Sequence, residues 1–462
     1  MRVTMLLALL GTMYAAEPYR PSFHFSPAKN WTNDPCGLYY KDGQYHLFFQ
    51  FNPFGDLWGH MSWGHAVSTD LVHWKELPVA IPESDGVMIF TGSSVVEPSG
   101  RVASIYTGHQ PTKPPHQNQN IAWSSDGLHW SKDPSNPILD IGPNVTDFRD
   151  PKVFWHEPTK RWVMVVMLPR EHKAQFYAST DLKKWTHLSD YGPAGVNGNE
   201  WECPDFYELP VDGNAKNTRW VLKVGISREH IAGGSGEQYF IGKFDGTKFI
   251  NDNPASKVMW LDYGPDCYCE FSFSNTPAIA GKRAVGWMSN WIYAEKIPTS
   301  PWRGQMTMPR QFSLKTTADG IRLFQAPPSE FAKLRGARLD AASPHDIFEM
   351  KAKVSMGSDK SAEWTMMDGF KIGYDAVKNE LYVDRTRAGN TSFSPKFPGR
   401  YTAPLKLNGR PLELDVFVDR MSVEVFAMNG EIVFTSLVFP VKPTPVTYSG
   451  PKSGTTELFS MR

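Results

Sequence analysis

Cysteine is scarce, with four in 462 residues: Cys36, Cys203, Cys267 and Cys269. A chain of this length can bury a core without staples, so a disulfide framework is not expected. Cys267-Tyr-Cys269 is too tight for an ordinary zinc pair, and no second Cys/His pair at ligand spacing completes it. Four free thiols and no metal are therefore expected. Net charge is missing too, since Lys+Arg and Asp+Glu each number 48. With no basic excess and no Lys/Arg run of useful length, a nucleic-acid partner is excluded. Long apolar runs are also lacking. Residues 1–16 carry Arg2, a short apolar stretch from Met5 to Leu10, and Ala15-Ala16. They read as a secretory signal, too short to span a bilayer. No later stretch spans one either, so a secreted or periplasmic chain without a membrane partner is expected.

What the chain has in quantity is turns and rings. Gly and Pro number 37 each, spread evenly, and there are 16 Trp. Many short strands joined by turns fit this composition. Most of the rings pack the core on any reading, although Trp faces also stack on sugars.

Aligning the turns exposes an internal repeat. Ser68-Thr-Asp70-Leu-Val-His-Trp74, Ser124-Ser-Asp126-Gly-Leu-His-Trp130 and Ser179-Thr-Asp181-Leu-Lys-Lys-Trp185 are versions of one segment. Phe244-Asp245-Gly-Thr-Lys-Phe249 is a weaker copy, and the aspartates lie 56, 55 and 64 positions apart. Such a period, with strand-like segments between, predicts propeller blades, about five in all. An array of β-sandwiches fits the regular spacing less well. After Arg310 the repeat fades, and Gln311–Leu314 and Ile321–Phe324 look like closing strands. Residues 326–342 read as a linker with a short helix near Glu330–Leu334. From 343 to 462 strict alternation returns, with Asn429-Gly430 as a hairpin signal. The fold class is thus all-β: a five-bladed β-propeller over 17–325 and a β-sandwich over 343–462. The sandwich supplies no catalytic residue and is expected to brace the propeller through a large apolar interface.

Three acidic motifs carry the chemistry: Trp31-Thr-Asn33-Asp34-Pro35-Cys36-Gly37, Phe148-Arg149-Asp150-Pro151 and Trp201-Glu202-Cys203-Pro204-Asp205. Each sets a carboxylate beside a ring, a proline or both. One such motif alone is most simply a turn or an ion pair. Three at wide spacing suit sugar chemistry, where one acid protonates and another attacks. Pro35 should keep Asp34 extended, with a sharp turn at Gly37. Trp31 could wall a pocket, and Asn33 could bind hydroxyls. Arg149 should keep Asp150 charged. Apolar surroundings should raise the pKa of Glu202, as a general acid needs.

These motifs together resemble glycoside hydrolase family 32, the invertases, levanases and exo-inulinases. Tyr45–Pro53, Trp58–His65, Phe90-Thr91-Gly92-Ser93, Tyr263–Asp266, Gly286–Trp291, Trp302–Arg310 and Ser422–Phe426 also look like blocks of that family. The resemblance spans nearly the whole mature chain. It implies a five-bladed propeller with a C-terminal sandwich, and no cofactor or metal. Asp34 would be the nucleophile, Glu202 the acid/base, and Asp150 the holder of fructose hydroxyls and stabiliser of the transition state. Asn33, Gln50, Trp58, Phe90, Thr91, Arg149 and Trp291 would line the fructose subsite. The reaction would retain configuration, with the two main carboxyls about 5–5.5 Å apart.

Three positions depart from the family pattern. Cys36 replaces a usual Asn, which should loosen the turn that holds Asp34. Thr91 replaces Ser but keeps the hydroxyl. Cys267 and Cys269 replace an aromatic and a small residue, which should alter the pocket rim. The Trp58–His65 block favours an exo-acting fructosidase that releases terminal fructose from levan, inulin or sucrose. A fructosyltransferase, a catalytically impaired fructan-binding protein and an arabinan-cleaving propeller are the other readings.

Overall fold

A computed structural model describes residues 17–112 and 114–462; the segment read as a signal lies outside the described residues. Among the described residues the regular structure is almost entirely strand, interrupted only by short 3-10 turns. Its first part folds into five groups of four antiparallel strands, entered at Asn30–Lys41, Met88–Val96, Arg149–His156, Trp201–Val211 and Tyr268–Ser272. The fifth group is completed by Lys282–Trp287, Arg310–Thr317 and Gly320–Ala326.

The Asp repeat explains how the first four groups form. Each copy is the turn between the third and fourth strands, as between Ser62–Ser68 and Lys75–Ile81. Ser68 Oγ accepts the Leu71 N–H at 2.9 Å, and Asp70 Oδ1 accepts those of Val72 and His73 at 3.0 and 2.8 Å. Ser124/Asp126 repeats the pattern, Ser179/Asp181 repeats it with Ser179 Oγ accepting the Asp181 N–H instead, and Asp245 repeats its carboxylate half. The residue after each aspartate is left-handed: Leu71, Gly127, Leu182 and Gly246, at φ 66, 75, 63 and 92°. A leucine there is strained, but both leucines are fully buried, and that burial offsets the strain.

The ring closes through five apolar layers between successive groups. Phe48, Trp63, Ile105's neighbour Tyr106 and Ala122 join the first group to the second, and Val95, Ile121, Val153 and Met164 the second to the third. Val165, Phe176, Phe206 and Leu222 fill the third layer, and Tyr207, Val221, Ala284 and Phe312 the fourth. Trp31, Leu47, Phe271 and Trp287 return to the start. This is a five-bladed propeller.

The rest is a β-sandwich of a six-stranded and a five-stranded sheet around one apolar core that includes Trp364, Ile372, Val425 and Phe434. The sandwich begins earlier than expected. The supposed linker holds a 3-10 turn at Phe331–Leu334 and an edge strand, Arg335–Leu339, paired with Gly454–Met461. Asn429 and Gly430 both have positive φ at the tip of the expected hairpin.

The interface between the two parts is only partly apolar. Phe331, Met308 and Phe417 meet in one patch, and Trp302, Tyr293 and Phe439 in another. Between them lies a buried ionic network. Arg310 reaches Asp262 and Glu424 at 3.1 and 2.7 Å, Arg385 pairs with Asp266, and His24 bridges Asp419 and Glu424 at 2.8 Å each. A buried charge persists only when paired, so removing any one partner here would strand the other in the interface.

Candidate active site

The innermost strand of every blade carries a break in its pairing register. Register shifts fall between Thr32 and Pro35, between Ile89 and Gly92, opposite Arg149–Lys152, between Glu202 and Asp205, and between Tyr268 and Phe271. An extra residue in one strand of a pair bends it and redirects a side chain. Here the five bulges aim Asp34, Thr91, Asp150, Glu202 and Tyr268 at one pocket of about 460 Å³ on the propeller axis. All ten site residues expected from the sequence line it: Asn33, Asp34, Gln50, Trp58, Phe90, Thr91, Arg149, Asp150, Glu202 and Trp291.

Asp34 does not precede a turn. It lies in the continuous strand Asn30–Lys41, and Gly37 sits at a bulge with φ 58°, where a β-carbon would come within 2.6 Å of Trp63 and 2.8 Å of Phe48. Glycine is required there because two rings close on the backbone. Cys36 is buried with Tyr39, Phe48 and Trp63, so it packs a layer between blades and does not loosen a turn. Asp34 Oδ2 accepts the Thr91 hydroxyl at 2.7 Å, whereas Oδ1 is buried with no partner. Burial, and next the charge of Glu202, push the Asp34 carboxyl up to about 7, against the pull of Thr91.

Arg149 turns away from its neighbour Asp150. Asp150 is left-handed at φ 68°, and the guanidinium instead meets Glu202 Oε1 at 2.6 Å and Asp147 Oδ1 at 2.8 Å. Asp150 Oδ2 accepts the Cys203 N–H at 2.9 Å. Burial pushes Asp150 up to about 7, with Arg149 opposing from a distance. The expectation that Arg149 holds Asp150 low is thereby corrected: Asp34 and Asp150 are both raised. The apolar setting expected for Glu202 is absent as well. Arg149 holds Oε1, and the Tyr268 hydroxyl donates to Oε2.

Trp31 is fully buried and lies behind the wall. Its Nε1–H donates to Asn33 Oδ1 at 2.8 Å, and its ring stacks on Trp291. Half-exposed Trp58 stands edge-on to Phe90, whose face stacks on His109 at 4.4 Å. One rim is therefore aromatic, suited to an apolar sugar face, and the floor is acidic.

Sequence reasoning missed Tyr268, Asp147 and Gln117. Tyr268 follows the Tyr263–Asp266 block by two positions. Asp147 precedes Arg149 by two, and Gln117 accepts the Phe148 N–H at 2.8 Å. For Tyr268 and Asp147, adjacency to marked motifs was the available signal; Gln117 lies 31 positions from its partner Phe148 and had none.

The cysteine expectation also fails. Cys203 and Cys269 are joined as a disulfide, while Cys36 and Cys267 are free. A separation of 66 residues gives no hint of the pairing. Two neighbouring bulges simply bring them together. The altered positions lie beneath the pocket and not at its rim, since Cys267 is buried 3.7 Å from Arg310. Asp34, Cys203 and Cys269 have ligand-type atoms within 4.8 Å of one another. Disulfide sulfurs are not thiolates, the form that binds metal. No helix among the described residues is long and apolar enough to cross a membrane.

Comparison with known proteins yields a consistent set. Residues 24–327 match the glycosyl hydrolases family 32 N-terminal domain, and residues 333–461 match the family 32 C-terminal domain. A levanase of Bacillus subtilis is 43% identical over 459 residues, covering 92% of this chain and 67% of its own. An extracellular exo-inulinase of Aspergillus awamori is 36% identical, covering 97% and 95%. The crystal structure of an exo-inulinase from Aspergillus awamori superposes with a TM-score of 0.89 at 33% identity over 96% of this chain and 98% of that one. A β-fructofuranosidase of Schwanniomyces occidentalis complexed with fructosyl-erythritol gives 0.83 at 31% identity, covering 96% and 98%.

Proposed function

We propose, for a chain that belongs to glycosyl hydrolase family 32, a retaining exo-hydrolase that removes terminal fructose from levan, inulin or sucrose. The enzyme is a glycoside hydrolase, and exo-acting cleavage of fructans and sucrose is its activity class. The relatives named for levan and inulin support this, as does the structural neighbour bound to a fructosyl compound.

One observation carries the residue roles. Asp34, Asp150 and Glu202 converge from three inner strands on one pocket, each held differently. Asp34 is the nucleophile. Its Oδ2 is tethered and its Oδ1 has no partner, so Oδ1 is free to form a bond with the anomeric carbon. Glu202 gives its proton to the departing glycosidic oxygen as that bond breaks. It then takes a proton from water, whose oxygen attacks the same carbon and releases Asp34. Asp150 faces the fructose hydroxyls. Trp58, Phe90 and Trp291 frame the ring, and Asn33 and Gln50 supply donors and acceptors. Two inversions at one carbon return the original configuration. Export through the segment at residues 1–16 is part of this reading and fits the extracellular relatives.

Fructose release from levan, inulin and sucrose by wild type, Asp34→Asn and Glu202→Gln tests it. Wild-type release lost in both variants, with a fructosyl adduct on Asp34 by mass spectrometry, is expected. Full activity in either variant overturns the assignment.

A further inference from the structure

Beneath the pocket, two contacts cross the same gap between the fourth and fifth blades. One is the hydrogen bond from Tyr268 to Glu202, and the other is the disulfide between their chain neighbours, Cys269 and Cys203. The two inner strands are not paired with each other there, because Trp201–Val211 pairs with Asn214–Ile226 and Tyr268–Ser272 with Lys282–Trp287. Both cysteines lie inside bulges, in left-handed backbone at φ 50° and 52°. Ladder pairing therefore reaches Glu202 and Tyr268 but skips the two cysteines that directly follow them. The gap is next bridged at Glu270, whose N–H donates to Glu237 Oε1 at 2.6 Å, and then deeper down, where Asp205 accepts the Ser272 N–H at 2.7 Å. Cys203 is also at the centre of the acids. It follows Glu202, its N–H donates to Asp150, and its sulfur lies 3.6 Å from Asp34 Oδ2.

We propose that the Cys203–Cys269 disulfide is a positioning crosslink. It holds the two bulges in register so that the Tyr268 hydroxyl stays on Glu202. Neither cysteine touches the reacting atoms in this assignment; both act through Tyr268 and Glu202. The proposal rests on Glu202 being the acid/base.

Two measurements test it. Alkylating the unfolded, unreduced protein should label two thiols, Cys36 and Cys267; four labelled thiols would overturn the proposal. Cys269→Gly removes the sulfur and suits the positive φ, and Cys269→Ala is a second variant that keeps the β-carbon. Each should lower kcat on sucrose roughly tenfold to a hundredfold, the usual cost of a small misplacement. KM should stay within about twofold, because the contacts to fructose are untouched. The alkaline limb of the kcat profile should move as it does in Tyr268→Phe. The double variant Cys269→Gly/Tyr268→Phe should lose no more than Tyr268→Phe alone, since both act on one contact. Additive losses, or an unchanged kcat profile in both cysteine variants, would sink the idea. Full activity in Glu202→Gln would instead refute the acid/base reading while leaving the thiol count intact.

Discussion

The sandwich and the propeller use the same strands to opposite ends. In the sandwich, strand pairs keep register from end to end, the one shift lying at the edge pair Arg335–Leu339 against Gly454–Met461. Its core is apolar throughout. In the propeller, every innermost strand slips, and each slip carries a polar side chain to the axis. Regular pairing specifies a scaffold, whereas chemistry appears where pairing is broken and polar groups are left incompletely satisfied. Asp34 Oδ1, buried without a partner, is the plainest case.

The contrast can be sharpened first at Asp34. Asp34→Asn should cut kcat by roughly 10⁴-fold or more, the scale seen when one member of a catalytic set is removed. It should also raise the melting temperature at pH 8. The folded carboxyl titrates near 7, above its ordinary 3.8, so from 3.8 upward ionisation costs the folded state stability, fully so above 7. An amide escapes that cost. Scanning calorimetry beside kinetics checks both, and a large fall in melting temperature would erase the contrast.

Arg385→Leu addresses the interface. It leaves Asp266 buried and unpaired, and should cost about 3–5 kcal/mol with KM unchanged. Asp266→Leu/Arg385→Met should recover most of that loss if the pair specifies geometry more than it stabilises. Denaturant melts read both.

His24 supplies the next effect. Its partners Asp419 and Glu424 raise it from 6.5 to about 9, although burial opposes them. A raised histidine contributes stability that is fully present below pH 6.5 and is lost as pH rises through about 9, on the order of 3 kcal/mol. Melting temperatures across this window should fall in wild type and stay flatter in His24→Gln.

The smallest effect belongs to Thr91. Its hydroxyl favours the charged form of Asp34. Thr91→Val should move the acid limb of kcat/KM upward by about one pH unit, the worth of one hydrogen bond to a charged group. An unmoved limb would mean that Asp34 does not set it.

What the sequence made legible follows from how local each signal is. The Ser-x-Asp turns could be read because side chain and backbone close their hydrogen bonds within four residues. The strict alternation of Leu412–Val418 could be read because one buried face repeats every second residue. The bulges could not be read, since a register shift belongs to two strands at once. The turning of Arg149 toward Glu202 was hidden for the same reason: it depends on the left-handed backbone of Asp150, which no neighbouring residue type demands. The Cys203–Cys269 link needed the two bulges in place before the cysteines could meet. The early start of the sandwich was hidden because Arg335–Leu339 is an exposed edge strand with little apolar alternation.

The tryptophans behind the pocket give the protein its own optical reporter. Trp291 lines the wall, with the Trp287 ring 4.8 Å and the Trp31 ring 6.0 Å away. Indoles this close couple their excited states, and of the three only Trp291 lines the pocket. A sugar bound as proposed should therefore change the emission and the near-ultraviolet dichroism of that trio, readable without a label or a coupled assay.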